Sequence, residues 1–330
     1  MEYRRLGASD LEISVVALGT WAIGGFMWGG TDEGEAIAAI QRSIELGVTA
    51  IDTAPVYGFG LSEEIVGRAL AGRRDQVAIL TKFGLSWGDP GERKFWESKG
   101  PDGRPVRIFN DTRKATVIAE CEASLRRLGV EAIDLYQQHW PDPDVPLEEP
   151  LEALEKLLAD GKIRAAGVSN FPVESIDQAR RRIPLASNQP PYSMLTRGIE
   201  DDVVPYCREH GIGLLAYSPL ERGLLTGKVS AERVFPETDH RSGLRLYSLE
   251  NRRRINAFLE RIRPIAARHD ATLAQLVIQW TLRQPGITIA LVGARNAAQA
   301  EENARAAQLE LEDGELALIS AELDALELDR

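Results

Sequence analysis

The sequence predicts an α/β fold, a (β/α)8 barrel of the TIM type, and three observations carry that prediction. Short apolar runs of strand length alternate with helical stripes along nearly the whole chain. Counted from Val15-Val16-Ala17-Leu18 they make eight strand–helix units. Nearly every run also ends in polar or charged residues, which strands buried on both faces tolerate only where their ends share a solvated mouth. Repeated βα units call for a parallel sheet, and eight of them favour closure over an open doubly wound sheet. The open sheet lacks its phosphate fingerprint. Gly211-Ile212-Gly213-Leu214-Leu215-Ala216 fits G-x-G-x-x-A but precedes and enters a strand, so it reads as a helix stop followed by a strand.

In chain order, Tyr3–Leu6 and Leu11–Val15 flank the turn-forming Gly7-Ala8-Ser9-Asp10 and predict an N-terminal β-hairpin. After the first barrel strand come Val48–Ile51, Val77–Thr81, Ile133–Gln138, Ile163–Val168, Ala186–Asn188, Ile212–Ala216 and Ile287–Val292. Between them lie helical stripes: Ile37, Ile40 and Ile44; Ile118, Cys121 and Leu125; Leu273, Leu276, Val277 and Trp280. Residues 84–112 and 219–248 break the rhythm. Both follow strands, so both are expected as long loops over the C-terminal mouth of the barrel. Asp313–Leu328 reads as one amphipathic helix outside the barrel cycle. No linker or low-complexity segment divides the chain, so residues 1–330 are expected to form a single domain.

The composition, 44% hydrophobic and 27% charged, supplies a sizeable core. A net charge of -11 argues against nucleic-acid or anionic-membrane partners, since the average surface repels phosphate. Cys121 and Cys207 stand apart inside helical patterns and read as reduced, partly buried thiols. No signal-length or membrane-length apolar run occurs, so a cytoplasmic protein is expected. Nothing in the pattern demands assembly, and a monomer is the default.

The chemistry sits at the strand ends: Thr20, Asp52, Lys82, His139, Ser169-Asn170, Gln189, Tyr217-Ser218, and Gly293 with Arg295. Each alone has a structural explanation as a cap, a surface lysine or a satisfied core histidine. Together at one barrel mouth, Asp52, Tyr57, Lys82 and His139 form a set for moving a proton on or off a carbonyl oxygen. A tyrosine ordinarily ionises near pH 10, and an adjacent lysine ammonium is expected to draw that value down. Asp52 keeps Lys82 charged and aimed, and His139 can donate to a developing alkoxide. With no serine, cysteine or lysine nucleophile in play, hydride addition is favoured over covalent catalysis. The four histidines show no paired ligand spacing, so no metal is expected.

The stretches Gly19-Thr20-Trp21, Ile51-Asp52-Thr53-Ala54-Pro55-Val56-Tyr57-Gly58, Leu80-Thr81-Lys82-Phe83-Gly84, Gln138-His139-Trp140, Gly167-Val168-Ser169-Asn170-Phe171, Ala216-Tyr217-Ser218-Pro219-Leu220 and Val292-Gly293-Ala294-Arg295 resemble the aldo-keto reductase superfamily over essentially the whole chain. The Gly-Ala-Arg ending resembles the bacterial branch of general stress and inositol-linked reductases. The resemblance implies NADPH lying extended across the mouth, with Tyr57 as general acid supported by Lys82, Asp52 and His139. It implies that Tyr217 stacks on the nicotinamide while Ser169, Asn170 and Gln189 hold its carboxamide. Gly19, Thr20, Trp21 and Asp52 join the cofactor site. Ser218, Pro219, Leu220, Gly223, Leu224 and Lys228 follow the pyrophosphate, and Gly293, Arg295, Gln299, Glu302 and Asn303 grip the adenosine end.

This chain departs from that pattern where many relatives carry lysine-serine, having Gly293-Ala294, and where arginine is common, having Gln299. Arg295 is then the main partner for a 2′-phosphate, so NADPH is expected ahead of NADH by a reduced margin. Trp21, Trp87 and Trp140, with Tyr57 and His139, are expected to line the substrate pocket. With little chain after Asn303 for a carboxyl-terminal specificity loop, an open site accepting varied aldehydes is expected. The expected activity is metal-free reduction of aldehydes or ketones. A sugar or polyol dehydrogenase working oxidatively, or a cofactor-bound regulatory module, are the alternatives.

Overall fold

The computed structural model describes residues 1–25, 27–28, 30–100, 103–235 and 239–329. The hairpin comes first, β1 (Tyr3–Arg5) and β2 (Glu12–Ser14), antiparallel with Tyr3 opposite Ser14. Eight parallel strands then close a barrel: β3 (Val16–Gly19), β4 (Ala50–Asp52), β5 (Ala78–Phe83), β9 (Ile133–Gln138), β10 (Ile163–Ser169), β11 (Leu185–Gln189), β12 (Gly213–Tyr217) and β13 (Ile287–Gly293), which pairs back to β3. Between β5 and β9 stands an antiparallel sheet of β6 (Leu85–Trp87), β8 (Pro105–Asn110) and β7 (Phe95–Lys99), in that spatial order.

Helices α1 (Glu33–Glu45), α2 (Leu61–Ala69), α3 (Lys114–Leu128), α4 (Glu148–Ala159), α5 (Val173–Arg180), α6 (Val203–Glu209), α7 (Leu249–Arg268), α8 (Leu273–Arg283), α9 (Ala297–Arg305) and α10 (Asp313–Asp324) complete the chain. Their starts follow local chemistry. Asp32 accepts from Glu35 N at 2.9 Å, and Thr272 and Gln275 form a reciprocal capping box on α8. Ile40, Cys121, Leu125, Leu276, Val277 and Trp280 from the helical stripes are buried against the strands. No described helix is long and apolar enough to cross a membrane.

A second buried cluster fills the barrel and decides which end is open. Leu6, Leu11 and Ile13 of the hairpin pack on Ala17, Ala50, Leu80, Leu135, Ala165, Leu215 and Ile289. The hairpin therefore plugs the end where the strands begin, and the carboxyl end is left as the mouth.

Two expectations about local structure change. Residues 84–112 hold the three-stranded sheet rather than a long loop, because Val106, Ile108 and their neighbours alternate faces: Ile108 is buried while Arg107 points outward. The expected helix from Asp313 to Leu328 stops at Asp324. Beyond it the chain is pinned in non-helical form, with Asp329 N donating to Asn251 Oδ1 and Asn251 Nδ2 donating to Asp329 O, each at 2.9 Å.

Candidate functional site

Asp52, at the end of β4, and Lys82, one residue from the end of β5, meet inside the mouth. Lys82 Nζ lies 2.5 Å from Asp52 Oδ1, 2.9 Å from Thr53 O and 3.4 Å from Tyr57 Oη. Those three acceptors match the three protons of an ammonium. Tyr57 Oη is thus an acceptor from Lys82, and its own proton is left to point away from that pair.

Tyr57 is carried by the turn after β4, held by Tyr57 N to Ala54 O (3.1 Å) and Ser62 N to Tyr57 O (3.1 Å). The turn presses on the loop after β3 so closely that both sides need glycine. A Cβ on Gly58, whose φ is +68°, would sit 2.3 Å from Gly24 O, and one on Gly24 would sit 2.7 Å from Tyr57 O. His139 follows β9, its ring edge-on to Tyr57 with centroids 5.9 Å apart.

The electrostatics correct one expectation. Tyr57 does not ionise more readily than a free tyrosine: burial, and after it the Asp52 carboxylate, hold the phenol well above the ordinary value. The lysine charge that was to lower it is already matched by Asp52. Burial also pulls Lys82 down, against the raising effect of Asp52. Burial and then the Lys82 charge hold His139 well below the ordinary histidine range, so its imidazole is neutral at neutral pH. The phenol is therefore protonated at neutral pH.

A cavity of about 610 Å³ opens beside this set. Gly19, Trp21, Asp52, Tyr57, His139, Trp140, Ser169, Asn170, Gln189, Tyr217, Ser218, Pro219 and Leu220 line it near the strand ends. Gly223, Lys228, Gly293, Arg295, Gln299, Glu302 and Asn303 line its far reach. Tyr217 Oη donates to Asn170 Oδ1 at 2.9 Å, and Asn170 Nδ2 donates to His139 O at 3.0 Å. Ser169 Oγ donates to Gln189 O at 2.7 Å. Asn170 and Ser218 hold left-handed backbone (φ 62° and 57°), a strained state that turns both toward the cavity.

Some expected residues are placed differently. Lys82 reaches the cavity only through Tyr57 and Asp52. Thr20 lines the cavity, but its hydroxyl is committed to Asp52 O at 2.9 Å and Ser62 Oγ at 2.7 Å. Leu224 is fully buried in the outer core, so its side chain has no access to a cofactor. Trp87 does not line the cavity. It stands edge-on to Phe59, centroids 5.6 Å apart, and Trp96 of the same sheet lines the cavity instead.

Arg222, Arg233 and Arg241 also line the cavity, and no sequence signal marks them because segments outside the barrel strands and helices carry no period. With Lys228 and Arg295 they put five cations into the mouth of a chain whose net charge is -11. Arg222 Nε and Trp28 Nε1 are buried donors with no hydrogen-bond partner among the described residues, and both residues line the cavity. This donor set fits an elongated polyanion such as a dinucleotide. Among the described residues no cluster of His, Cys, Asp and Glu could hold a metal ion.

Comparison with known proteins agrees with this geometry. The profile described as "Aldo/keto reductase family" matches residues 15–324. The aldo-keto reductase YhdN of Bacillus subtilis is 42% identical over 304 residues, covering 91% of this chain and 87% of that protein. The NADH-specific methylglyoxal reductase of Escherichia coli is 36% identical, covering 98% of both chains. Among solved structures, a glycerol dehydrogenase from Gluconobacter oxydans matches with a TM-score of 0.88 and 40% identity, over 98% of this chain and 95% of that one. A Klebsiella pneumoniae aldo/keto reductase in complex with NADP and acetate matches with a TM-score of 0.72 and 31% identity, over 97% and 95%. A profile spanning nearly the whole sequence, and relatives aligned end to end, leave one conclusion: the chain belongs to the aldo/keto reductase family of oxidoreductases.

Proposed function

We propose that the protein reduces small aldehydes and ketones to alcohols with a nicotinamide nucleotide, NADPH ahead of NADH, and that Tyr57 delivers the proton. The observation that carries this reading is the Lys82 ammonium donating to the Tyr57 hydroxyl at 3.4 Å while anchored on Asp52 at 2.5 Å. Such a phenol keeps its proton until an alkoxide, a far stronger base, develops beside it. The phenolate left behind is stabilised by Lys82. Neutral His139 can donate a hydrogen bond to the same carbonyl oxygen. The bound nucleotide supplies the hydride. Tyr217, fixed by Asn170, provides the ring face for the nicotinamide, and Ser169, Asn170 and Gln189 orient its carboxamide. Arg295 is the main candidate for the 2′-phosphate.

A second reading, oxidation of a polyol, gains support from the similarity to a glycerol dehydrogenase. The same proton set runs in either direction. Oxidation of NADPH and NADH should be followed with small aldehydes, methylglyoxal included, beside reduction of NADP+ with glycerol. Faster carbonyl reduction is expected; faster glycerol oxidation would move the conclusion to the second reading. Tyr57→Phe should lower turnover by about a hundredfold or more and leave nucleotide affinity within about twofold of the parent. A variant with parental turnover would remove Tyr57 from its role.

A further inference from the structure

Just beneath the mouth, two glutamine side chains converge on one oxygen of Asp52. Asp52 Oδ1 faces Lys82, while Oδ2 lies 2.9 Å from Gln189 Nε2 and 3.5 Å from Gln137 Nε2. Gln137 Oε1 in turn lies 3.4 Å from Gln189 Nε2, which closes a triangle. Gln137 is the register partner of Lys82 across the β5–β9 pair and of Gly167 across the β9–β10 pair. The glycine makes room for it: a Cβ on Gly167 would stand 3.0 Å from Gln137 Cγ and 2.5 Å from Ser187 Oγ. Gln137 is fully buried and does not line the cavity, whereas Gln189 does.

We infer that Gln137 is a positioning residue that shares the second oxygen of Asp52 with Gln189 and so ties the nicotinamide seat to the proton donor. The inference rests on the function proposed above. A buried carboxylate needs donors on both oxygens. Gln189 alone is a poor guarantor, because its amide also faces the cavity and is available to a ligand there. Gln137 has no such second duty, and it keeps a donor on Oδ2 whatever Gln189 does. Its oxygen also anchors the Gln189 amide from behind.

The consequence for charge has a definite sign. A donated N–H draws negative charge from Asp52. Without it Lys82 and Tyr57 face a more negative neighbour, and both hold their protons to higher pH. The other titratable groups facing this pair are His139 after β9, Tyr217 on β12, and Glu63 of α2, the last matched by Arg127 at 2.6 Å. None of them changes when Gln137 is replaced.

The test compares the full-length protein with Gln137→Met, which keeps the volume without a donor, and Gln137→Asn, which keeps an amide on a shorter stem. NADP+ affinity is measured by fluorescence titration across pH. The positively charged ring binds more tightly once the Lys82–Tyr57 pair has lost a proton. In Gln137→Met the midpoint of that rise, and the basic limb of kcat/KM for carbonyl reduction, should both move up by about half to one pH unit. That is roughly three- to tenfold in the ionisation constant. Gln137→Asn should fall between Met and the parent, with melting temperatures alike. A folded Met variant titrating with the parent, or an Asn variant shifted as far as Met, overturns the inference and reduces Gln137 to packing. A parent protein that binds no nicotinamide nucleotide overturns the proposed function and this inference with it.

Discussion

Lys82 and Asp52 form an ion pair, 2.5 Å from nitrogen to oxygen, at a depth where neither side chain has appreciable access to solvent. Each charge is tolerable there only because of the other. Lys82→Met should therefore lower stability by about 3–5 kcal/mol, since it strands the Asp52 carboxylate. Adding Asp52→Asn should restore most of that loss while turnover stays lost. Urea unfolding of the parent, the single and the double variant reads this directly. A double variant no more stable than Lys82→Met would show that the pair is not the buried unit described.

Arg295 stands at the far rim, where its guanidinium donates to Gly30 O at 2.7 Å and Trp28 O at 3.4 Å. It thus bridges the end of β13 and the turn after β3, and the proposed function makes it the partner of a 2′-phosphate. Arg295→Ala should weaken NADPH by about tenfold or more, the scale of a lost charge-assisted contact. NADH should change little. Equal losses of affinity for both nucleotides would leave Arg295 as a loop tie only.

The sheet over the mouth offers two tryptophans with different duties. Trp96 lines the cavity and is 46% exposed, while Trp87 packs on Phe59 away from it. Trp96→Ala should raise KM for aromatic aldehydes several-fold with little change in melting temperature. Trp87→Ala should do the reverse, costing about 1–3 kcal/mol of local packing. Steady-state kinetics and thermal unfolding of both variants separate the two, and a matching KM change in both would refute the assignment.

Glu120 of α3 lies half-buried under the start of that sheet, accepting from Gly84 N at 2.8 Å and Ser86 Oγ at 2.7 Å. Burial pushes its carboxyl up to about 7, with Asp111 adding to the effect and the two donors opposing it. The folded protein thus holds a proton that the unfolded chain releases. The stability gained is complete below the ordinary carboxyl range, declines as pH rises, and is gone above about 7. The span corresponds to roughly 3 kcal/mol. Glu120→Gln should flatten the fall in melting temperature between about pH 5 and about pH 8 that the parent shows. An unchanged slope in the variant would assign that fall to other groups.

Much of the fold was legible because strand ends and strand lengths are local properties. The run Ile133–Gln138 is a strand to the residue, and Asp52, Lys82 and His139 announce themselves as polar groups closing apolar runs. The sheet within residues 85–110 was missed because glycines, and charged and aromatic residues that also suit a loop, interrupt the apolar pattern of the segment. Leu224 was misjudged for a simpler reason. It neighbours Gly223, which does line the cavity, but its own side chain turns into the outer core.

The sequence alone determined the eight strand–helix units, the single mouth and the meeting of a phenol, an ammonium, a carboxylate and an imidazole there. Periodicity and the cost of burying charge are written residue by residue. Tertiary structure decided the rest: that Tyr57 keeps its proton rather than sheds it, that three arginines from irregular segments turn an acidic chain's cavity basic, and that Gln137 stands beside Lys82. Those are matters of depth and of distance across the barrel, and each depends on how far a group lies from water and from residues remote in the chain.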